Sequence, residues 1–397
     1  MLRGTTFVVV AGSVGKTTGK EMVASVLAQQ GRTYTSIANQ NAGFLVALNV
    51  LRVRPWHRFA VLEVSGGKVG TIGPQSKLVR PDIAVMLAVR RTHTDAYSTL
   101  EECAAEKAKL FDHLAPNGVG LLYADDERVA GMADGAQVKM ERFGSSPDFE
   151  LWADQVQAAW PGRLCFRAHA DGGSAEISTQ LVGRHWLPSA LAALAVARCA
   201  GLSMEQAQEG IRSVEPFRGR MQPVQLPNSA VVLRDDYQAS IDVTDAALAT
   251  LGEAQARRRM LVISDISDTD LSTQKRRKYV ADAAAPVCDA LVMIGSKANY
   301  GIRRAVEAGM DPQCVFAFGT LREAADFLKR ELGEGDLMLL KGRVSDHVAR
   351  LFFHQFGTVG CWLETCPKTM LCDECWELGV SQAELASVTV VNPQAPS

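Results

Sequence analysis

The stretch Val8-Val9-Val10-Ala11-Gly12-Ser13-Val14-Gly15-Lys16-Thr17-Thr18 decides the fold of this chain, because it predicts a strand, a tight turn and a helix in succession. Its two glycines let the backbone approach a phosphate closely, so that main-chain N–H groups and a helix N-terminus point at anionic oxygens. Lys16 is then placed to reach the β- and γ-phosphates, and the Thr17 hydroxyl to hold Mg²⁺. Val10 stands where the longer form of the motif has a glycine, and the alternative is a chance Gly-Lys-Thr turn. The strand and helix on either side favour a phosphate loop. The residues predicted to bind the nucleotide here are Gly12, Ser13, Val14, Gly15, Lys16, Thr17 and Thr18.

Length and composition narrow the class of protein. The chain has 397 residues, which predicts two or three domains, and 47% hydrophobic residues are enough to fill their cores. A formal net charge of −2 disfavours a protein that binds nucleic acid by bulk electrostatics. No run approaches the roughly 20 apolar residues of a membrane span, and residues 1–4 lead directly into a strand, which leaves no room for a signal peptide. We therefore expect a cytoplasmic protein without nucleic-acid or membrane partners.

Apolar runs alternate with helical periods along most of the chain, which is typical of parallel sheets covered by helices. Short alternating segments between Pro161-Gly162 and Asp171-Gly172-Gly173 turns predict an antiparallel patch over residues 150–182. The alternation restarts after a hinge at residues 215–220. The predicted fold class is α/β, with a P-loop doubly wound central domain over 1–217, a smaller Rossmann-like C-terminal domain over 218–356, a short Cys-rich appendage over 357–380 and a flexible tail over 381–397.

Four polar residues follow the loop at positions where a parallel sheet presents its ligands. Glu63 ends an apolar strand, His93 lies just past the next strand, Lys107 is on an amphipathic helix and Arg220 follows a glycine at the hinge. Taken singly, each has a simpler interpretation as an exposed carboxylate, a structural histidine or a solvated cation. Taken in this order after a phosphate loop, they indicate a Mg-ATP site.

These segments resemble the Mur ligases, the ATP-dependent amide ligases of peptidoglycan precursor synthesis, and above all the branch that adds D-alanyl-D-alanine. The resemblance covers about residues 5 to 355. The similar segments are GSVGKTTGKEM at 12–22, NQN at 39–41, LEV at 62–64, RPDIAV at 80–85 leading to His93, Lys107-x-x-Leu-Phe, Gly183-x-His185 to Ala193, GRM at 219–221, DDYQAS at 235–240, and Gly335-Asp336 to Lys341-Gly342.

The resemblance implies an amide ligase that uses ATP and Mg²⁺ and forms an acyl-phosphate intermediate. It implies that Thr17 and Glu63 hold one Mg²⁺, and that Glu63, His93 and a carbamylated Lys107 hold a second. The resemblance also implies that His185 and Ser189 lie on the adenine side of the nucleotide, that Asp235 contacts the ribose and that Arg220 contacts a phosphate. The residues implied in catalysis are Lys16, Lys107, His93, Arg220 and Lys341. Asn39 and Asn41 are implied to contact the substrate.

Three departures from the family pattern limit the substrate assignment. The phosphate loop begins at residue 12, so we expect the chain to lack the N-terminal UDP-sugar-binding domain. Trp186 and Ser189 stand where asparagine is usual, and Trp186 either stacks on the base or belongs to the core. Arg343 follows Lys341-Gly342 in place of serine, and it is either a bidentate contact for an acceptor carboxylate or a surface cation.

A second, independent feature is the cluster Cys361-x4-Cys366-x5-Cys372-x2-Cys375. Because disulfides are disfavoured in the cytoplasm, four thiols within 15 residues favour a tetrahedral structural Zn²⁺ site. An iron–sulfur cluster or a redox pair is the alternative.

The sequence therefore predicts a carboxylate–amine ligase that acts on small-molecule or peptide substrates in the cleft between its two domains. One rival is a ligase of the folylpolyglutamate or poly-γ-glutamate type. Another is a Mur-like ATPase subunit whose substrate is delivered by a protein partner docked on the cysteine cluster. A degenerate, inactive relative is disfavoured because Lys16, Thr17, Glu63, His93 and Lys107 are all present.

Overall fold

The computed structural model describes residues 4–38, 40–41, 43–90, 97–134, 136–364, 366–368, 370–381 and 390–391. The chain divides into two compact units. Unit 1 comprises the chain up to Gln157 together with Leu164–Gln180 and Arg184–Glu215, and unit 2 comprises Ala158–Arg163, Leu181–Gly183 and the chain from Pro216 onward.

Unit 1 contains, among its described residues, a nine-stranded sheet in the order β2-β3-β1-β4-β5-β6-β7-β8-β9. Neighbours from β2 to β7 in this order pair in parallel, whereas β7–β8 and β8–β9 are antiparallel, which confirms the predicted antiparallel patch. The strands are β1 Thr6–Ala11, β2 Thr33–Thr35, β3 Phe59–Glu63, β4 Ile83–Met86, β5 Val119–Tyr123, β6 Lys139–Gly144, β7 Leu151–Gln157, β8 Cys165–Ala170 and β9 Gly173–Ser178. The helices are α1 Lys16–Ala28, α2 Phe44–Arg52, α3 Ile72–Val79, α4 Leu100–Ala108, α5 Glu127–Ala130, α6 Leu187–Cys199 and α7 Met204–Arg212.

Local sequence explains the elements that surround the phosphate loop. Residues 8–11 of β1 are fully buried, as an unbroken apolar run in a parallel sheet requires. Helix α6 is rich in alanine and leucine and is buried along almost its whole length, where it packs on α1. Helix α7 begins with a capping box between Ser203 and Gln206. None of the helices in the described ranges is long and apolar enough to cross a bilayer.

Unit 2 contains, in the part of the chain that is described, a six-stranded sheet in the order β10-β11-β15-β12-β13-β14. The β10–β11 pair is antiparallel, and all the other pairs are parallel. The strands are β10 Gln222–Gln225, β11 Val231–Asp235, β12 Arg258–Ile263, β13 Ala290–Ile294, β14 Val315–Phe318 and β15 Asp336–Lys341. The helices are α8 Ile241–Glu253, α9 Thr273–Ala284, α10 Ala298–Glu307, α11 Leu321–Glu331 and α12 Ala349–Phe356.

The structure differs from the sequence-based segmentation at several places, all within unit 2, and among them is Leu181–Gly183, which was assigned from sequence to the first domain. Ala158–Arg163, assigned from sequence to the first domain, is held in unit 2 by the hydrogen bond from the Gln255 amide to the Trp160 carbonyl at 2.8 Å. The cysteine-bearing segment is part of the core, where Cys372 and Leu378 are buried in one cluster with strands β11 to β15. In the predicted tail, Val390 forms an antiparallel bridge with Val224 of β10.

The close contact between α1 and α7 generates a test of the unit 1 core. A methyl group on Gly210 would lie 2.5 Å from the Val26 Cα atom, which is backbone and cannot swing aside. We expect Gly210→Ala to lower the free energy of unfolding by about 1–3 kcal/mol, despite the better helix propensity of alanine. Urea unfolding of the purified variant measures this.

The matched control is Gly131→Ala, because an added methyl group there meets nothing within 4 Å. Equal unfolding midpoints for the two variants would contradict this packing.

Candidate active site

The phosphate loop has the geometry that its sequence predicts. Gly12 has φ +147°, and a Cβ atom there would lie 2.9 Å from Leu87 Cβ. Gly15 is the N-cap of α1 with φ +76°, and a Cβ atom there would lie 3.0 Å from Ser189 Oγ. Both positions therefore need glycine, for backbone conformation and for space. The Ser13 amide donates to the Ala88 carbonyl at 2.8 Å, which fixes the loop against the chain that follows β4.

Glu63 lies next to this loop because β1 and β3 pair in parallel with Val10 opposite Glu63. The carboxylate is 1% exposed. Its Oε2 accepts a hydrogen bond from Thr17 Oγ1 at 2.9 Å, and its Oε1 accepts one from Asn41 Nδ2 at 2.6 Å. The hydroxyl and carboxylate oxygens that were predicted to hold Mg²⁺ are thus in direct contact, and oxygen donors are the ligands that Mg²⁺ prefers.

Lys107 is not the solvated cation that its helix alone would suggest. Its side chain is 2% exposed, and Nζ donates to the Gly12 carbonyl at 3.3 Å. Burial lowers the pKa of Lys107 below its ordinary value. Lys16 Nζ donates to the Ser13 carbonyl at 2.9 Å, so both lysines contact carbonyl groups of the same loop.

Two other predicted residues, His93 and Asn39, lie outside the described residues. Asp126, which sequence reasoning missed, holds the chain that leads toward His93. Its buried carboxylate accepts from the Val89 amide at 2.9 Å and pairs with Arg90 at 2.6 Å. An acidic N-cap, Asp126 before α5, was the available signal in the sequence.

Lys20 was also missed, although it lies within the GKEM segment that follows the loop. It is fully buried, and Nζ donates to the Ala38 carbonyl at 2.9 Å and to the Ser36 carbonyl at 2.5 Å. Because Ser36 Oγ accepts from the Glu63 amide at 3.1 Å, Lys20 supports the chain next to the carboxylate.

The residues expected on the adenine side have structural contacts. Ser189 is 1% exposed, and its hydroxyl donates to the Gly15 carbonyl at 3.2 Å. Trp186 is 6% exposed and belongs to the core, which was one of its two interpretations. His185 is half-buried, and its ring contacts the indole of Trp186 at 4.6 Å between centroids.

In unit 2, the ends of β11 and β15 bring Asp235 opposite Lys341. Both side chains are buried, and Lys341 Nζ lies 2.8 Å from Asp235 Oδ2. Asp235 Oδ1 accepts a hydrogen bond from the Met221 amide at 3.2 Å. The neighbouring Arg220 places its guanidinium over the Tyr237 ring, 4.3 Å from the centroid.

Arg343, the predicted acceptor contact, already has an anionic partner. Its guanidinium forms an ion pair with Asp346 at 2.6 Å, and its side chain is 40% exposed. Ser264 Oγ donates to the same carboxylate at 2.6 Å.

The cysteines of the cluster line one small cavity, and the full set of thiols is Cys361, Cys366, Cys372 and Cys375. Burial raises the pKa of Cys372 to about 11, and its sulfur lies 3.3 Å from His347 Nδ1. Lys368 Nζ donates to Cys375 Sγ at 3.4 Å. Across the described residues, no three or more His, Cys, Asp or Glu side chains are grouped so that they could hold a metal ion. The structure therefore does not support the predicted Zn²⁺ site as it stands.

Comparison with known families agrees with the mixed α/β fold and the phosphate loop. The Mur ligase middle domain matches residues 10–197, and the Mur ligase glutamate ligase domain matches residues 219–344. The chain therefore belongs to the Mur ligase family and carries its middle and C-terminal domains.

Individual relatives are similar along most of the chain. The UDP-N-acetylmuramoyl-tripeptide–D-alanyl-D-alanine ligase of Escherichia coli is 28% identical over 74% of this chain and 65% of its own length. The enzyme of that name from Synechocystis is 29% identical over 84% of this chain and 70% of its own length. This chain thus spans about two thirds of these relatives.

Solved structures share the fold. A crystal structure of MurF from Acinetobacter baumannii has a TM-score of 0.80 at 24% identity, with coverage of 88% of this chain and 76% of that one. Folylpolyglutamate synthase from Mycobacterium tuberculosis has a TM-score of 0.63 at 19% identity, with coverage of 86% and 89%.

The buried Lys107 generates a prediction about stability. In CO₂-depleted buffer, Lys107→Met is expected to unfold at higher urea concentration than the wild type near neutral pH, because methionine removes the cost of burying an ammonium group. The folded-state pKa lies below the ordinary value of 10.5, so the unfolded state binds more protons between the two pKa values. The free energy of unfolding of the wild type then rises with pH between the two pKa values. The difference in this free energy between Lys107→Met and the wild type becomes smaller as pH approaches 10.5.

Urea unfolding at about pH 7 and about pH 10 checks this. The exposed Lys77 supplies the control variant Lys77→Met. Its free energy of unfolding should differ from that of the wild type by the same amount at both pH values. A stability difference for Lys107→Met that is the same at both pH values would count against the buried ammonium.

Proposed function

We propose that this protein is an ATP- and Mg²⁺-dependent ligase that joins a carboxylate substrate to the amine of an amino acid or peptide. The observation that carries the proposal is the contact of Thr17 and Asn41 with the buried Glu63 carboxylate, beside a phosphate loop that Lys107 also contacts. Loop, oxygen donors and a buried lysine together are the parts that phosphoryl transfer to a carboxylate requires.

The chemistry follows from the poor reactivity of a carboxylate. A carboxylate oxygen attacks the γ-phosphorus of ATP, ADP leaves, and an acyl phosphate forms. The amine then attacks the acyl carbon, the tetrahedral adduct collapses, and inorganic phosphate leaves as the amine loses a proton. Negative charge accumulates on phosphoryl oxygens in the first step. We assign its neutralisation to Lys16, and the support is that Lys16 Nζ contacts the Ser13 carbonyl of the loop.

The residues of unit 1 fit Mg²⁺ because they supply oxygen donors next to the loop. Thr17 and Glu63 would hold one ion, and Glu63, His93 and a carbamylated Lys107 a second. Bound Mg²⁺ neutralises phosphate charge and orients the nucleotide. Burial supports carbamylation, since a lowered pKa leaves more of the neutral amine that attacks CO₂ and releases a proton.

The other implied roles stay part of the proposal. We assign the ribose to Asp235, nucleotide phosphate to Arg220, and the adenine side to His185 and Ser189. Lys341 assists catalysis, and the substrate contacts are Asn39, Asn41 and Arg343. Asn41 also orients Glu63, which its sequence position did not indicate.

Two alternatives concern the substrate and its delivery. The fold likeness to folylpolyglutamate synthase keeps open a ligase that extends a glutamate-bearing acid. A Mur-like ATPase subunit whose substrate comes from a partner protein is the second. The relatives named for D-alanyl-D-alanine addition favour a peptide or amino-acid amine as the acceptor.

Phosphate release from Mg-ATP tests the proposal, with candidate acids and amines offered singly and in pairs, D-alanyl-D-alanine among them. We expect release that requires one acid together with one amine, and its loss by about 100-fold or more in Glu63→Gln and Lys107→Ala, because each removes a group beside the transferred phosphoryl.

The control is Glu101→Gln, which removes an exposed carboxylate that pairs with the exposed Arg128. Acid-independent release that is unchanged in Glu63→Gln would overturn the ligase. Release that appears only when a cell extract is added would favour the partner-dependent alternative.

We also propose that the cysteine cluster binds a structural Zn²⁺. The support is that all four thiols line one cavity, together with the cationic Arg350 and Lys368, whose charges offset the excess negative charge of four thiolates around Zn²⁺. Binding would require the thiols to close around the ion, since they are not grouped for it in the described residues.

Elemental analysis of the purified chain tests this. We expect about one zinc per chain, lost in the Cys372→Ser/Cys375→Ser double variant, because removal of two thiolates leaves an incomplete tetrahedral set. The exposed Cys199 gives the control Cys199→Ser, which should retain the metal. Iron with acid-labile sulfide would favour the iron–sulfur alternative, and a folded chain without metal would overturn both.

A further inference from the structure

A buried ion cluster fastens the cysteine-bearing segment to the end of strand β11. Arg234 is 2% exposed, and its guanidinium donates to both carboxylate oxygens of Asp373, at 2.7 Å and 2.9 Å. The same guanidinium donates to Asp236 at 3.0 Å and 3.3 Å. It also lies over the ring of Phe352, 4.6 Å from the centroid. One buried cation thus joins carboxylates that are far apart in the chain.

On one side, this cluster is anchored in the segment that follows α12. Asp373 lies between Cys372 and Cys375, and its side chain is 5% exposed. Cys372 and Leu378, on either side of it, belong to the core cluster of unit 2. The carboxylate therefore has a fixed position from which to hold Arg234.

On the other side, the cluster holds the turn that carries Arg220. Asp236 Oδ1 faces Gly219, where an added Cβ would lie 3.3 Å from it, and the Tyr237 amide donates to the Gly219 carbonyl at 3.1 Å. The neighbouring Asp235 accepts from the Met221 amide at 3.2 Å. The end of β11 and residues 219–221 are thus joined by direct contacts and hydrogen bonds.

These contacts extend to the end of β15. Asp235 pairs with Lys341 at 2.8 Å, and Lys341 also donates to the Asp235 carbonyl at 3.3 Å. Residues 234–236 are therefore linked to Lys341 and to the residues on either side of Arg220. The proposed function gives Arg220 and Lys341 roles in nucleotide binding and catalysis.

We propose that Asp373 is a positioning residue for nucleotide binding, which acts through Arg234 and Asp236 on Asp235 and the turn at residues 219–221. This rests on the proposed function. Loss of the Asp373 charge leaves Arg234 buried with one carboxylate in place of two, and a buried ion that loses a partner shifts toward its remaining partner or toward water. Either shift displaces the end of β11.

The test compares Asp373→Asn with Glu377→Gln in the full chain. Glu377 lies in the same segment and pairs with Lys368 at 2.7 Å, but both side chains are about one third exposed. The control therefore also removes one carboxylate charge, but not from the buried ion cluster of Arg234, Asp236 and Asp373. Steady-state kinetics with ATP as the varied substrate and hydrogen–deuterium exchange over residues 219–221 and 235–238 are measured on both.

For Asp373→Asn we expect the KM for ATP to rise about tenfold with kcat within about twofold, and faster amide exchange over both segments. Glu377→Gln should match the wild type in both measurements. A role in stability alone would lower the active fraction, and hence kcat, with an unchanged KM. An unchanged KM in folded Asp373→Asn overturns the proposal.

If Asp373→Asn does not accumulate as folded protein, Asp373→Glu decides. It keeps the charge but lengthens the side chain, so we expect a KM increase of about threefold, and an unchanged KM overturns the positioning role. The exchange measurement separates this result from the proposed function. If the wild type neither binds nor turns over ATP, the ligase proposal fails. Faster exchange of Asp373→Asn that is confined to residues 219–221 and 235–238 would still support the structural role of the ion cluster around Arg234. Exchange equal to that of the wild type would overturn that role.

Discussion

The hydrogen bond between Thr17 and Glu63 is the contact on which the rest of the site depends. It joins the first turn of α1 to the carboxyl end of β3, although the two residues are 46 positions apart in the chain. The parallel register of β1 and β3 creates the contact, since Val10 lies opposite Glu63 and the loop begins directly afterwards. The close approach of Gly12 to Leu87 keeps that loop next to the sheet. The oxygen donors are thus held in place by strand pairing and not by the loop alone.

Buried charge is the recurring means by which each unit fixes its polar groups. In unit 1, Lys20 and Lys107 are almost fully buried and donate to backbone carbonyls. In unit 2, Arg234 and Lys341 are equally buried and are paired with carboxylates. Because removing one partner from a buried ion costs about 3–5 kcal/mol, such groups tolerate few alternative positions. That rigidity suits the phosphate and metal binding that we propose for the residues of unit 1.

The cysteine-bearing segment shows how tertiary packing changes the meaning of a motif. Its thiol spacing predicts a metal-folded appendage that no apolar core could hold. In the structure, Val359, Cys372 and Leu378 are buried in the core of unit 2, and Asp373 pairs with Arg234. The segment is therefore held by apolar contacts and a buried ion pair. Ligand spacing reports which atoms could bind a metal, but not what else the intervening residues contact.

The sequence by itself determined the secondary-structure elements, because strand, turn and helix patterns are local. It also determined the phosphate loop, because Gly12 and Gly15 have positive φ values that other residues rarely adopt. It also placed Glu63 at a strand end. For Lys107, helical periodicity alone suggested a solvated face, and only the order of the motifs and the family resemblance assigned it to the site beside the loop. Sequence reasoning missed Lys20 and Asp126, whose partners are distant in sequence or are backbone atoms. Whether Trp186 is core, whether Arg343 is paired, and how Asp373 reaches Arg234 were decided only by the tertiary structure. These properties depend on contacts between residues far apart in the chain, and no local pattern records them.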